Sequence, residues 1–232
     1  MKYLKMNRYP TFRVLRFFLC KKAIDLPPYL QNNSWKKEFN YKLWVTKGTR
    51  FAAAKRCSVI ARNSQLTLTI LSSYLIFAGI SPYILKTFSQ TVDPDVMALV
   101  TTGTSILLLV FGLLESSKNL GLKAHEYDEC ALKVSRLYNK LRQLKEFDLP
   151  PHDSRQSLID LTNQYDDTLD GYQNHEAIDF DIFKSQKRKY HGLSRIDVIM
   201  IKFTYYKKVH LLYHFFIFSP IIISYFIILP LK

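Results

Sequence analysis

The chain has 232 residues, a mean hydropathy near zero (-0.06) and 48% hydrophobic residues, which excludes both a pure multispan transporter and an ordinary soluble domain. Its net charge of +14 is uneven, because residues 1–65 hold 15 Lys and Arg against 2 acidic residues while the rest hold 18 against 17. The three cysteines, Cys20, Cys57 and Cys130, lack disulfide or metal-site spacing, as expected in a reducing compartment.

Residues 1–34 form a basic, aromatic leader. Arg16 interrupts its apolar run and no small-residue cleavage site follows, so a signal peptide is not predicted. An interfacial helix and a poorly ordered segment both stay open. A nucleic-acid-binding arm would also explain the charge, but anionic lipid headgroups next to a membrane span attract each basic residue by about 1 kcal/mol. We therefore expect anionic lipid as the partner and do not predict direct nucleic-acid binding.

Residues 35–62 are predicted to be basic amphipathic helices that precede the first span. Ser34 can cap a helix that begins at Trp35. Its apolar side chains lie on one side: Phe39, Leu43 and Trp44. This pattern is typical of a helix lying at the lipid headgroups. A second helical stretch, 49–62, is expected to lead into the first span.

Two uncharged apolar segments joined by a ten-residue connection make up residues 63–115. Asn63–Leu85 has no charged side chain for 23 residues and Val96–Leu114 has none for 19, whereas roughly 20 residues cross the hydrocarbon core as a helix. The sequence therefore predicts a transmembrane helical hairpin. Basic residues crowd the entry to the first segment, but the connection 86–95 holds one Lys and two Asp, so the N-terminus is expected in the cytoplasm.

Residues 116–208 are predicted to form a cytosolic helical module. Its first helix carries apolar residues at alternating spacings of four and three: Leu120, Ala124, Tyr127, Ala131, Val134, Tyr138 and Leu141. A second helix, beginning at Asp153 or Ser154, has its own apolar face: Leu158, Leu161, Tyr165, Leu169 and Tyr172. The two faces predict an antiparallel helical hairpin.

Residues 209–232 are predicted to be a third span. Ser194 and Asp197 indicate a helix start, and from there one helix is expected to run to the C-terminus. In Leu211–Leu231, 14 of 21 residues are Leu, Ile or Phe. A re-entrant or surface-lying segment stays open. Pro220 should kink this helix unless a Ser or Tyr side chain satisfies the carbonyl that it frees. The predicted fold class is thus an all-α membrane protein.

This order of parts, together with short polar motifs, resembles the SLATT domain, a two-span effector associated with SMODS nucleotidyltransferases and SLOG sensors in bacterial conflict systems. The likeness covers about residues 35–232 and is carried by three regions. The first is 53–63. The second is a run after the second span: Glu115, Lys118, Asn119, Gly121, Lys123, Ala124, Glu126 and Cys130. The third lies in 170–180: Asp170, Gly171, Tyr172, Asn174, His175, Asp179 and Phe180. The third span is similar to that of a subfamily often encoded beside reverse transcriptases.

The resemblance implies an effector in the bacterial inner membrane that forms a homo-oligomer and permeabilises the membrane when a cytosolic partner signals, causing cell death or arrest in anti-phage defence. It also implies an operon-encoded partner, a reverse transcriptase or a nucleotidyltransferase. The alternative is a non-conducting membrane anchor or adaptor that docks a partner enzyme through its helices. No phosphate-binding loop, nucleophile elbow or paired metal motif occurs, so neither an enzyme nor a cofactor is predicted.

Candidate pore-lining residues form polar stripes on the two spans: Thr69, Ser72 and Ser73 on the first, and Thr101, Thr104 and Ser105 on the second. In an oligomer such stripes can face water, whereas in a monomer they pack helices closely. Glu115 is the candidate for the inner mouth, where a ring of carboxylates would favour cations. The alternative for Glu115 is an interfacial residue that reaches the headgroups.

A polar turn after the second helix of the module is the candidate partner contact: Asn174, His175 and Asp179. His175, Glu176 and Asp179 offer only three metal ligands, so a capped turn is preferred over a metal site. His210 and His214, one turn apart beside the third span, could sense pH, but interfacial packing is the preferred interpretation.

Overall fold

The computed structural model describes residues 34–87, 93–146 and 151–228, and every regular element in these ranges is a helix. The helices are α1 (Trp35–Thr87), α2 (Pro94–Ser117), α3 (Leu120–Glu146), α4 (Pro151–Asp170), α5 (Ala177–Gln186), α6 (Arg195–Val209) and α7 (Leu211–Ile228). The predicted all-α fold class is confirmed. The predictions for the leader and for the middle of the connection, at 88–92, lie outside the described residues.

Helix α1 runs unbroken for 53 residues, from the basic pre-span region to the end of the first apolar segment. The stretch 49–62 leads into the first span as expected. The prediction of a separate first helix at the headgroups is wrong. Phe39 and Leu43 are 3% and 0% exposed within the protein core. An apolar stripe on a helix has the same spacing whether it faces lipid or a neighbouring helix, which explains the error.

The first half of α1, together with α3 and α4, forms a three-helix bundle outside the apolar segments, which we call the extramembrane bundle. Its core consists of Phe39, Leu43, Cys130, Val134, Leu137, Leu141, Leu161 and Tyr165. The α3–α4 hairpin is present, but α3 packs most extensively along α1. The Tyr165 hydroxyl and the Thr46 hydroxyl form a hydrogen bond of 2.8 Å within this core.

Helix α5 packs back against the first half of α1. The Phe183 ring lies directly on Gly48, where any Cβ atom would overlap it. The Trp44 ring meets the Phe183 ring edge-on, with 4.9 Å between centroids. The Trp44 ring also meets the Tyr190 ring edge-on, with 5.1 Å between centroids. Gly48 is therefore tolerated inside a long helix because a side chain of another element occupies the space beside it.

The expected single helix from Arg195 to the C-terminus is interrupted at His210, and this prediction is wrong. A capping box of Ser194 and Asp197 starts α6 as expected. At the other end, Asn63 Nδ2 donates to the Val209 carbonyl at 3.1 Å and lies 2.9 Å from His210 Nδ1. A side chain of α1 thus bonds to the backbone at the break, which sequence spacing within 195–228 cannot reveal.

In two apolar helices, a serine stands before a proline and supplies the hydrogen bond that the proline cannot make. Pro82 and Pro220 lack the N–H that would bond to the carbonyls of Ala78 and Phe216. In each case the preceding serine donates its hydroxyl to that carbonyl: Ser81 to Ala78 at 2.8 Å and Ser219 to Phe216 at 3.4 Å. The freed carbonyls are satisfied within the helix, as apolar surroundings require.

Among the residues that the structure describes, two helices are long and apolar enough to cross a membrane. They lie within Trp35–Ile84 and Asp95–Leu144, and a shorter apolar helix covers Leu211–Ile222. Helix α7 packs against both: Phe111 and Phe216 have ring centroids 5.2 Å apart, and α7 also contacts α1. Gly112 of α2 faces Leu68 of α1. The three apolar segments therefore form one packed unit next to the extramembrane bundle.

Candidate functional site

The six hydroxyl side chains of the two polar stripes lie on α1 and α2 as predicted, and all except Thr101 are exposed. Five of them bond to carbonyls of their own helix at 2.7–2.9 Å: Thr69, Ser73, Thr101, Thr104 and Ser105. These five bonds lie within single helices and do not bridge the two spans. The packing interpretation, in which the stripes share hydrogen bonds between helices, therefore gains no support from them.

Only two of the six residues share a groove. Ser72 and Ser105 both line an open groove of about 400 Å³ between α1 and α2. Its other walls are apolar: Leu68, Leu75, Leu108, Leu109, Gly112 and Leu113. The structure thus brings Ser72 and Ser105 together on one face of the hairpin and leaves four residues outside that groove: Thr69, Ser73, Thr101 and Thr104.

Glu115, the candidate for an inner mouth, is 7% exposed and lies on α2, where it faces α7. Its Oε2 accepts a hydrogen bond from the Tyr213 hydroxyl at 2.8 Å, and Lys118 contacts its Oε1. Both oxygens are occupied, so within one chain Glu115 does not face an open aqueous mouth. A position at a span end does not reveal that Tyr213, 98 residues away, covers this carboxylate. A ring of Glu115 carboxylates between copies of the chain stays a prediction.

The polar turn 171–176 is fastened to the extramembrane bundle through its backbone. Arg50 donates to the Gln173 carbonyl, and the Tyr127 hydroxyl donates to the Asn174 carbonyl at 2.9 Å. Burial and the nearby positive charge of Arg50 lower the pKa of His175, which favours a neutral ring. Of the predicted partner contacts, the Asn174 side chain is exposed and His175 is half-buried.

Asp179, the third predicted partner contact, is fully buried, so that assignment is wrong. Arg56 of α1 binds both of its carboxylate oxygens, Nε to Oδ1 at 2.8 Å and a terminal nitrogen to Oδ2 at 3.1 Å. Arg56 also contacts Glu176 at 2.9 Å, and Lys208 of α6 reaches Glu176 at 3.5 Å. We call these four residues the clamp.

The clamp keeps two charges in the protein interior. Burial opposes the charge on Arg56, but the hydrogen bonds and negative charge of Asp179, with that of Glu176, outweigh it and raise the Arg56 pKa above its ordinary value. Asp179 Oδ2 also accepts from the Glu176 backbone N–H at 3.0 Å as part of a capping box. The clamp therefore fixes the start of α5 onto α1, about two turns before the first apolar segment begins.

The chain matches the family model described as SMODS and SLOG-associating 2TM effector domain family 5 over residues 32–226, well over half of its length. The chain belongs to this SLATT family. The resemblance drawn from the sequence is confirmed, whereas the association with reverse transcriptases stays a prediction. No curated protein and no solved structure was found to match the chain.

The three motif regions of this SLATT chain meet in space. Arg56 lies in the first region, 53–63, and binds Asp179 of the third. Tyr127, within the second region's run along α3, bonds to Asn174 of the third. Residues that are 47 to 123 positions apart therefore form one polar connection at the boundary between the bundle and the spans.

Sequence reasoning missed the central residues of this connection. Arg56 is one of the basic residues that crowd the entry to the first apolar segment, but it is 7% exposed inside the protein. The available signal was its position among Ala53, Ala54 and Cys57, small residues that allow another element to approach α1 closely. Within the described ranges, no three His, Cys, Asp or Glu side chains are placed to hold a metal ion.

Proposed function

We propose that this SLATT chain is a membrane effector of a bacterial conflict system, which oligomerises in the inner membrane and permeabilises it when a cytosolic partner signals. Its extramembrane bundle and N-terminus would lie in the cytoplasm, and α7 would be a third span. The observation that carries the proposal is α1, which is at once a core helix of the bundle and the first span. A partner that shifts the bundle therefore acts directly on a membrane helix.

The clamp and the α6–α7 break extend this mechanical connection to the third span. Asp179 ties α5 to α1, and Asn63 of α1 holds the break that precedes α7. Tyr213 of α7 in turn bonds to Glu115 of α2. A change at the turn 171–176 could reach all three apolar helices through these contacts, without passing through a flexible linker.

The exposed hydroxyls supply the chemistry for a water path. Thr69, Ser73 and Thr104 present polar atoms on helix surfaces that would otherwise contact lipid. Hydroxyls that donate to their own backbone tolerate an apolar environment, yet their oxygen atoms still accept a hydrogen bond from water. Such side chains suit helices that insert as a hairpin and later line a pore between several copies.

The second candidate function is a non-conducting anchor or adaptor that docks an operon-encoded partner, a reverse transcriptase or a nucleotidyltransferase. One observation favours it: leucine side chains dominate the groove around Ser72 and Ser105, which suits helix packing better than ion passage. The two functions differ in whether the membrane leaks.

The test is inducible expression in bacteria with a membrane-potential dye, repeated as ion flux from liposomes. Ser105→Leu should reduce depolarisation at least about tenfold, because a larger apolar side chain narrows and dewets a pore. Gly103→Leu is the matched control, since it adds a leucine to α2 about 160° around the helix from Ser105. Nothing lies within 4 Å of a Cβ atom added at Gly103. Both variants are compared with the original chain at equal membrane abundance.

A leak that is lost in Ser105→Leu and kept in Gly103→Leu would support the effector. Equal leak from both variants would remove the pore role of this stripe. No leak from the original chain, with or without the operon-encoded partner, would leave the anchor function.

A further inference from the structure

Helix α6 exposes a stripe of large apolar side chains on one face. Ile196, Ile199, Phe203 and Tyr206 are spaced three, four and three residues apart and are 40–63% exposed. At 3.6 residues per turn they fall within an arc of roughly 80°. Exposed Lys202 and Lys207 flank the stripe on its two sides. Contiguous apolar surface of this kind marks an interaction site.

The position of α6 shows that lipid does not cover most of this stripe. Before α6, Tyr190 packs against Trp44 of α1, 19 residues ahead of Asn63, which corresponds to roughly 28 Å along the helix. After α6, Val209 meets Asn63 itself. A helix of 15 residues spans about 22 Å, so α6 runs alongside the first half of α1 and reaches the apolar segments only at its C-terminal end.

The membrane restricts which surfaces can meet the stripe. Every copy of the chain is held at the same height by its apolar helices, so a neighbouring copy presents only surfaces at the height of α6. We define the depth of a residue as its distance from the apolar segments, at about 1.5 Å per residue, counted along α6 from Val209 and along α3 from Leu120. The stripe then covers depths of roughly 5 to 20 Å. A suitable surface must be exposed over the same depths.

Helix α3 offers such a surface. Leu122, His125, Asp128 and Leu132 are exposed and lie within about 120° of one another around the helix. They cover depths of roughly 3 to 18 Å, which match those of the stripe. The exposed carboxylate of Asp128 complements Lys202, whereas two α6 stripes placed together would bring like charges into contact.

We propose that the α6 stripe of one copy binds the exposed face of α3 on a second copy. The contact joins two different surfaces, so each copy can bind one neighbour on either side, and rotation about the membrane normal closes a ring. This inference rests on the proposed function for its biological meaning, but not for its geometry.

The test is disulfide cross-linking in membranes, in a chain carrying Cys20→Ser and retaining the buried Cys57 and Cys130. Phe203→Cys and His125→Cys lie at matched depths of roughly 9 and 8 Å. With both in one chain, an oxidant should give a ladder of trimers and larger species. Co-expression of the two single variants with different tags should give mixed dimers only.

The matched control pairs Phe203→Cys with Gln143→Cys. Gln143 lies on the same face of α3 as His125 but 18 residues further along, roughly 27 Å deeper. This pair should give no ladder. Dimers from Phe203→Cys alone would overturn the proposal in favour of two stripes facing each other.

Charge reversal supplies a second measurement. Lys202→Glu and Asp128→Lys should each weaken the ladder several-fold, and combining them should restore it. Absence of a ladder, with the chain folded and inserted, overturns the proposal and leaves residues 1–33 or another protein to cover α6. A ladder without ion leak keeps this contact and removes the proposed function, so the two failures are distinguishable.

Discussion

At the scale of single residues, the Arg56–Asp179 ion pair is costly to break and determines where α5 attaches to α1. Both side chains lie inside the protein, and Asp179 is fully buried. Such a pair adds little net stability, because the loss of hydration cancels much of the attraction, but removing one partner leaves an unpaired buried charge. The pair therefore specifies where α5 attaches to α1 more than it strengthens the fold.

Asp179→Ala should destabilise the bundle by about 3–5 kcal/mol, because Arg56 is left buried without its carboxylate. The measurement is thermal unfolding in detergent. Glu176→Ala is the control: its side chain is half-exposed and Arg56 keeps Asp179, so the loss should be smaller, about 1 kcal/mol, the usual cost of removing a helix N-cap. A double replacement, Arg56→Met with Asp179→Leu, should recover most of the loss. Equal destabilisation by the Asp179 and Glu176 variants would contradict the assignment.

At the scale of elements, α5 is positioned by shape as well as charge. The Phe183 ring fills the space beside Gly48, and Trp44 closes over its edge. Glycine is a poor helix former, so its presence in the middle of α1 has a cost of about 1 kcal/mol that the packing of Phe183 offsets.

Gly48→Ala should destabilise the chain by about 1–3 kcal/mol despite the better helix propensity of alanine, because the methyl group overlaps the Phe183 ring. Gly121→Ala is the matched control: nothing lies within 4 Å of its added Cβ, so it should be neutral or stabilising. Adding Phe183→Leu to Gly48→Ala should recover part of the loss. If Gly48→Ala unfolds at the temperature of the original chain, α5 does not pack as described.

Most elements could be predicted from the sequence, and the failures have a common cause. The apolar segments, the α3 seam and the Ser194 cap are local patterns, and the structure contains all three. The continuity of α1, the break at His210 and the burial of Glu115 depend on partners far away in the chain. Spacing within one segment shows that a face is apolar or charged, but not which element will cover it.

At the scale of the whole molecule, the orientation of the chain in the membrane determines from which side a signal can reach the extramembrane bundle. The excess of Lys and Arg before the first apolar segment predicts a cytoplasmic bundle and an outer connection 86–95. Asn163, exposed on α4, and Ser89, in the connection, are suitable reporters.

In intact spheroplasts, an impermeant thiol reagent should label Ser89→Cys and leave Asn163→Cys unlabelled until the membrane is broken. The orientation follows from the attraction of basic residues to the cytoplasmic face. Cys20→Ser removes the one native thiol outside the two that the structure shows to be buried. Labelling of Asn163→Cys before lysis would reverse the proposed topology.

The remaining question at this scale is whether α1 transmits a signal as a stiff rod. Lys55 and Ser58 are exposed and lie between the bundle core and Asn63. Replacing both with glycine lowers helix propensity by roughly 1–2 kcal/mol in total without removing a core contact. Replacing both with alanine removes the same side chains but favours the helix.

If the rod transmits the signal, the double glycine variant should depolarise cells several-fold less than the original chain, while the double alanine variant should match it. Membrane abundance and thermal unfolding of the bundle are measured in parallel, so that a variant that fails to fold is recognised. Full depolarisation by the glycine variant would show that the spans open without a rigid link to the bundle. A loss shared by the alanine variant would instead assign a direct role to the Lys55 or Ser58 side chain.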